Sequence, residues 1–171
     1  MVETVKEFTG HARFSLDIRP LQMSSRYQGT GVYGYNLVRH LMKIDAENEY
    51  FLFQTRKSPW REVPYPSNFR PFPVRRFYEQ DQRFAPLLDP ILTPWDLVGL
   101  RHDLHHAFSI HYVPWRLLCP RVVTILDVIP LVFAEHYTKT GLKHRMLYRF
   151  ARGADHILTL SEHARRDVHR L

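Results

Sequence analysis

Val122-Val123-Thr124-Ile125-Leu126-Asp127-Val128-Ile129-Pro130-Leu131 is an apolar run that reaches a carboxylate and then leaves through a proline. A short continuous apolar run closed by a breaker is the pattern of a strand buried on both faces of a parallel sheet. Ligands of open α/β sheets lie beyond the carboxyl ends of such strands, so Asp127 is a site candidate as well as a fold marker. The alternative for Asp127 is a turn carboxylate that accepts backbone N–H bonds.

On the N-terminal side of this run, strand and helix signals alternate. Phe14, Leu16 and Ile18 alternate with Ser15, Asp17 and Arg19, which reads as a first strand. From Gly31 to Ile44, Val32, Tyr35, Val38, Leu41 and Met42 fall on one helix face. Residues 50–55 form a second strand, and residues 69–77 hold a third that Pro71 and Pro73 either confine to an edge or demote to a non-strand segment. Thr93-Pro94-Trp95-Asp96 has the composition of a helix start with Thr93 as N-cap, in a helix that ends near Arg101.

Beyond it, residues 104–108 and 122–126 read as strands, and Leu142, Met146, Leu147 and Phe150 mark a helix with Arg145, Arg149 and Arg152 on its solvated side. His156 to Leu160 gives a last short strand, and Ser161 is placed to cap a final helix. The expected fold is α/β, a Rossmann-like, doubly wound and mainly parallel sheet over residues 13–171. Residues 1–12 lack periodicity and read as a disordered or frayed extension.

The 171 residues have room for one domain with a real core, and 44% hydrophobic with 24% charged residues is the composition of a soluble globular protein. A single cysteine, Cys119, excludes an internal disulfide framework, and no activating neighbour marks it as a nucleophile. Met1 to Glu7 lack the apolar core of a signal peptide, and residues 122–134 are too short to span a bilayer. A cytoplasmic location is therefore expected.

Charge is the compositional outlier, with 24 Lys and Arg against 17 Asp and Glu. Such an excess favours anionic partners without choosing among them. The densest basic stretch, residues 56–76, sets six cations against Glu62 and interleaves Trp60, Tyr65, Phe69 and Phe72. One reading is a mobile loop that meets an anionic membrane at the inner face. The other is an irregular connection whose aromatics pack on the domain.

Gly29-Thr30-Gly31-Val32-Tyr33-Gly34 matches G-x-G-x-x-G between a strand and a helix. A dinucleotide site needs this turn directly off the strand, yet about nine residues separate Arg19 from Gly29. No acid closes the second strand to hold a ribose; Arg56 and Lys57 there would suit a 2′-phosphate, which leaves an NADP-dependent oxidoreductase as an alternative. Glycines at a helix start also serve any anion that approaches the backbone N–H groups, or simply turn the chain. His102, His105, His106 and His111 invite a metal reading, but adjacent residues of a strand point to opposite faces, and no metal is expected.

Residues 29–41 resemble the first loop and helix of family 4 glycosyltransferases of the GT-B fold, whose pattern is Gly-x-Gly-x-Tyr-x-x-Asn-Leu-x-x-x-Leu. Thr124 to Leu131, with Phe133 and His136-Tyr137 after it, is similar to the family's Thr-Ile-His-Asp-Leu-x-Pro-Leu segment. Ala151 to Glu162 is similar to the stretch that leads into the family's Val-Ser-Glu. The resemblance implies one half of a GT-B fold: the acceptor-side domain of a retaining glycosyltransferase of the hexosyltransferase class. Its donor would be a nucleotide-sugar, used as co-substrate with no cofactor, and its acceptor a glycan, a lipid-linked sugar or a small molecule.

In such enzymes a second domain holds the donor through two glutamates separated by seven residues, and no pair here has that spacing. The donor-binding domain is thus expected to be absent from this chain, and the domain alone to transfer no sugar. The resemblance makes Asp127 the catalytic candidate and Gly29, Thr30, Gly31, Ser161 and Glu162 the substrate-binding candidates. Leu126 stands where many members have histidine, and its side chain cannot exchange a proton. Ser161 and Glu162 equally suit a helix start. The other class of function is a non-catalytic basic module for an anionic ligand or nucleic acid; under the glycosyltransferase reading no nucleic acid partner is expected.

Overall fold

A computed structural model describes residues 10–56, 59–60, 64–74, 85–132 and 141–170. Six parallel strands form one sheet in the order β3-β2-β1-β4-β5-β6. They are β1 (Arg13–Asp17), β2 (Glu49–Gln54), β3 (Phe69–Pro73), β4 (Leu104–Ala107), β5 (Arg121–Thr124) and β6 (His156–Leu158). The helices are α1 (Gly29–Ile44), α2 (Ala85–Leu97), α3 (Ile129–Val132), α4 (Gly141–Arg152) and α5 (Glu162–His169). The fold is therefore Rossmann-like α/β, with every described strand pair parallel. Among the described residues no helix is long and apolar enough to cross a membrane.

Burial follows strand position. Val122, Val123 and Thr124 of β5 are all buried, as the continuous apolar run requires of a strand covered on both faces. Pro71 and Pro73 sit in β3 at the sheet edge, where a missing N–H costs no ladder bond on the open side. Leu16, Ile18, Tyr50 and Leu52 face α1, and Val38 closes that core. On the other side Phe53 packs with Leu97 of α2, while Ala107, Val123 and Ile125 pack with Leu147 and Ala151 of α4.

Two glycines set how closely α1 can lie. A Cβ on Gly34 would sit 2.7 Å from Cδ2 of Phe108, and one on Gly31 would collide with the backbone of Ser25 and Arg26. The turn from α1 to β2 is organised by Asp45, whose carboxylate accepts the N–H groups of Glu47 and Asn48, the Asn48 amide and the Tyr50 hydroxyl. Burial alone would raise its pKa, but these donors hold the carboxyl down at about 2.

Several boundaries differ from the sequence reading. Helix α2, Ala85–Leu97, runs through Pro90 and Pro94, so Thr93 is an interior residue, not an N-cap. Pro94 has no N–H for the Pro90 carbonyl, and Trp115 N–H fills the gap at 2.9 Å. Asp96 is buried in the last turn of this helix and does not lie in a first turn. Helix α1 starts at Gly29, two residues early, and β5 ends at Thr124, although Ile125 N–H still bonds the Leu158 carbonyl at 2.9 Å. Phe77 lies outside the described residues, as do Phe133, His136 and Tyr137.

Within residues 56–76 the aromatics serve the core. Trp60 is 4% exposed and packs edge-on against Tyr35, and Phe69 stacks on Tyr50 at 4.3 Å between centroids. Arg70 pairs with Glu49. Lys57, Arg61, Arg75 and Arg76 lie outside the described residues.

Candidate functional site

The chain runs outward from β1 to β3, then crosses back to lay β4 on the other side of β1. Connections diverge at the carboxyl ends of β1 and β4, and a crevice opens at such a switch point. Here it is a cleft of about 280 Å³ whose wall includes Thr30 from α1, Ser109 and His111 after β4, Leu126 and Asp127 after β5, and His144 and Tyr148 from α4.

Glycines 29 and 31 shape this cleft in different ways. At Gly29 a Cβ would meet Cδ1 of Leu126 at 3.5 Å, so the start of α1 touches the segment after β5. The room that Gly31 leaves is taken by the chain's own backbone at Ser25 and Arg26. In a dinucleotide fold the second glycine admits a pyrophosphate, and that space is filled here. Two short 3-10 turns, Arg19–Gln22 and Ser24–Tyr27, occupy the stretch between β1 and Gly29. No side chain caps α1, whose first N–H groups therefore suit an anion or water.

Asp127 is exposed on the cleft wall, three residues past the end of β5. Its Oδ1 accepts the Ile129 N–H at 3.1 Å, and its backbone carbonyl accepts the Tyr148 hydroxyl at 2.9 Å. Turn carboxylate and cleft group are thus compatible roles, because Oδ2 is not used by that bond. Burial, reinforced by the nearby Asp127 charge, raises the Tyr148 pKa and keeps it a neutral donor.

The structure does not bring Ser161 and Glu162 to the cleft wall. Ser161 Oγ accepts Ala164 N–H at 3.1 Å and caps α5, while exposed Glu162 pairs with Arg165 at 2.5 Å. Its hydrogen bond from Arg165 lowers the Glu162 pKa.

Three groups escaped the sequence reading because they come from separate elements. His111 and His144 face each other in the cleft with ring centroids 5.9 Å apart. Behind the wall, His106 Nε2 lies 2.8 Å from Thr124 Oγ1, which donates to the Tyr33 hydroxyl at 3.0 Å. Burial holds His106 down at about 4 and raises Tyr33, so the chain of bonds is neutral near pH 7. His106 consequently bonds Thr124 of the cleft wall from behind and does not replace the proton-exchanging group that Leu126 lacks.

The third is a buried ion cluster beneath the cleft. Arg19 Nε lies 2.8 Å from Asp17 Oδ1, and Nη1 lies 3.3 Å from Asp89 Oδ2. The guanidinium stacks over Phe53 and Tyr112, 4.9 and 4.4 Å from their centroids. Burial opposes its charge, but the pull and hydrogen bonds of Asp17 outweigh that and raise the Arg19 pKa. An acid at an inward strand position, followed two residues later by arginine, was the available signal.

Of the histidines near β4, His102 and His105 meet edge to face at 6.3 Å between centroids, but His106 turns away from them. His105 and His106 point to opposite faces, His105 toward Ser15 Oγ at 3.1 Å and His106 toward Thr124. Among the described residues no group of three or more His, Cys, Asp or Glu side chains is placed to hold a metal. Burial pushes the Cys119 thiol up to about 11, which removes it as a nucleophile at neutral pH. No protein-family model matches the chain, and no curated protein matches it.

Proposed function

We propose that this domain is the acceptor-side half of a retaining glycosyltransferase that moves a sugar from a nucleotide-sugar donor to an acceptor hydroxyl. The observation that carries the reading is the meeting of two distant segments in one cleft: the start of α1 at Gly29 and Thr30, and Leu126-Asp127 after β5. These same segments carry two of the three blocks that resemble the family. Asp127 is the group that orients the acceptor hydroxyl, accepting its hydrogen bond on the oxygen not used by Ile129 N–H. The uncapped start of α1 favours the negative charge of the donor phosphates. His111 and His144 add donors and acceptors for a polyhydroxylated ligand.

Gly31 argues against the oxidoreductase reading, because its open side is filled by the 3-10 turn at Ser25 and Arg26. The test is a titration of the isotope-labelled chain with a panel of mono- and disaccharides, inositol, UDP, GDP, ADP and NADPH, followed by NMR. The expected result is that a saccharide or polyol shifts the amide signals of Thr30, Asp127 and His144. A response confined to NADPH, or no response at these amides to any sugar or polyol, would sink the proposal.

A further inference from the structure

At the amino ends of the strands, on the opposite rim of the sheet from the cleft, lies an apolar groove of about 730 Å³ between the end of α2 and the segment before β5. Its walls carry the two tryptophans that the core leaves out: Trp95 is 72% and Trp115 56% exposed, whereas Trp60 is buried. Val98 stands exposed beside Trp95, and Leu118 projects fully into solvent from the loop before β5. An isolated exposed apolar residue needs no explanation, but four in one groove do. Nothing in the glycosyltransferase proposal uses them.

The rim is basic. Arg13, Arg101 and Arg116 line the groove against the carboxylate of Asp103. Asp103 already accepts the Arg13 backbone N–H at 2.8 Å, and Arg13 pairs with Glu49. Among the described residues neither Arg101 nor Arg116 has an ion-pair partner. A second copy of a chain with net charge +7 would bring like charge to this surface. An occupant that is extended, anionic and apolar beneath its charge fits both the arginines and the protruding side chains. Tryptophan favours the boundary between lipid headgroups and acyl chains, and leucine at a loop tip supplies the apolar wedge below it.

We infer that this groove is a membrane-docking face that seats on an anionic phospholipid surface, with Trp115 and Leu118 entering the interface and Arg101 and Arg116 meeting headgroup phosphates. The inference stands apart from the proposed function, since it rests on the opposite rim of the sheet and holds whatever the cleft binds. It also relocates the membrane contact from residues 56–76, whose described aromatics are engaged in the domain.

The test is co-sedimentation of the chain with phosphatidylcholine vesicles and with vesicles that also contain phosphatidylglycerol, read alongside tryptophan emission. Binding to the anionic vesicles and a blue shift are expected; Trp115→Phe should shrink that shift. Arg116→Glu should weaken partitioning by roughly tenfold, since a basic residue near an anionic surface is worth several-fold in binding. Leu118→Asp should do so by roughly tenfold or more, through lost insertion. Both side chains are exposed, so circular dichroism of the variants should match the parent. Arg56→Glu, in the other basic segment, should leave partitioning unchanged. Failure to bind either vesicle, or binding undiminished in Leu118→Asp and Arg116→Glu, overturns the inference. So does concentration-dependent dimerisation abolished by Leu118→Asp without vesicle binding, which would assign the face to a second copy.

Discussion

Arg19 Nη2 lies 2.5 Å from Asp17 Oδ2, with both side chains wholly shielded from water. This pair fixes the carboxyl end of β1 to the 3-10 turn that leads toward the cleft, and Asp89 ties the same guanidinium to α2. Breaking a buried pair on one side leaves a stranded charge, which costs far more than the pair itself contributes. Arg19→Met should therefore lower unfolding free energy by about 3–5 kcal/mol. Urea denaturation measures it, and a loss near zero would mean that Asp17 and Asp89 are relieved by water or protonation.

Gly34 gives a second stability test. Alanine there improves helix propensity by up to about 1 kcal/mol, but its Cβ would sit 2.7 Å from the Phe108 ring, and overpacking of a core costs about 1–3 kcal/mol. Phe108 is fully buried, edge-on to Tyr33 and His106, so the ring has little room to retreat. Gly34→Ala is expected to lose about 1–2 kcal/mol net. Phe108→Leu in the same chain should recover part of that, and a double-mutant cycle with no coupling would refute the contact.

The strands that announced the fold did so through burial on both faces. β5 was legible from its unbroken apolar residues, and Pro71 and Pro73 left β3 only an edge position if it formed a strand at all. The start of helix α2 differs from the sequence reading because Thr93-Pro94 mimics an N-cap and first turn; what permits Pro94 inside is Trp115 N–H, a tertiary partner with no local signature. In β1, Ser15 and Asp17 alternate with apolar residues yet are equally buried, because α2 and Arg19 cover the face that alternation marks as polar. The cleft is legible at Thr30, through the glycines that open α1, and at Asp127, through the apolar run that ends on it. His111, His144 and Tyr148 were not, because only the crossover that packs α4 near the turn after β4 unites them.

Acid should weaken the fold through its buried imidazoles. Burial depresses His106 to about 4 and His105 well below 6.5, so each is neutral in the folded chain at a pH where the unfolded chain is already protonated. For groups depressed in this way, full stability is present above 6.5 and is lost as the pH falls toward the folded value. A shift of that size at His106 corresponds to about 3 kcal/mol between pH 7 and pH 4. His106→Gln keeps a donor for Thr124 but does not titrate. Its unfolding free energy should fall less steeply over this window than that of the parent, and parallel curves would remove His106 as a source of the acid lability.

Asp127 separates local structure from ligand chemistry. Its Oδ1 accepts the Ile129 N–H, a bond that an asparagine carbonyl also makes, while the second acceptor oxygen of this cleft-lining residue is present only in the aspartate. Asp127→Asn should then leave the urea midpoint within about 0.5 kcal/mol of the parent, as for an exposed substitution that keeps its bond. A hydrogen bond to a charged group contributes about 1.5–3 kcal/mol, so affinity for whichever saccharide or polyol binds should fall by roughly tenfold or more. Isothermal titration measures the affinity and denaturation the stability. A variant that binds as tightly as the parent would confine Asp127 to its turn, whereas one that loses stability and affinity together would make the carboxylate a support of the fold first.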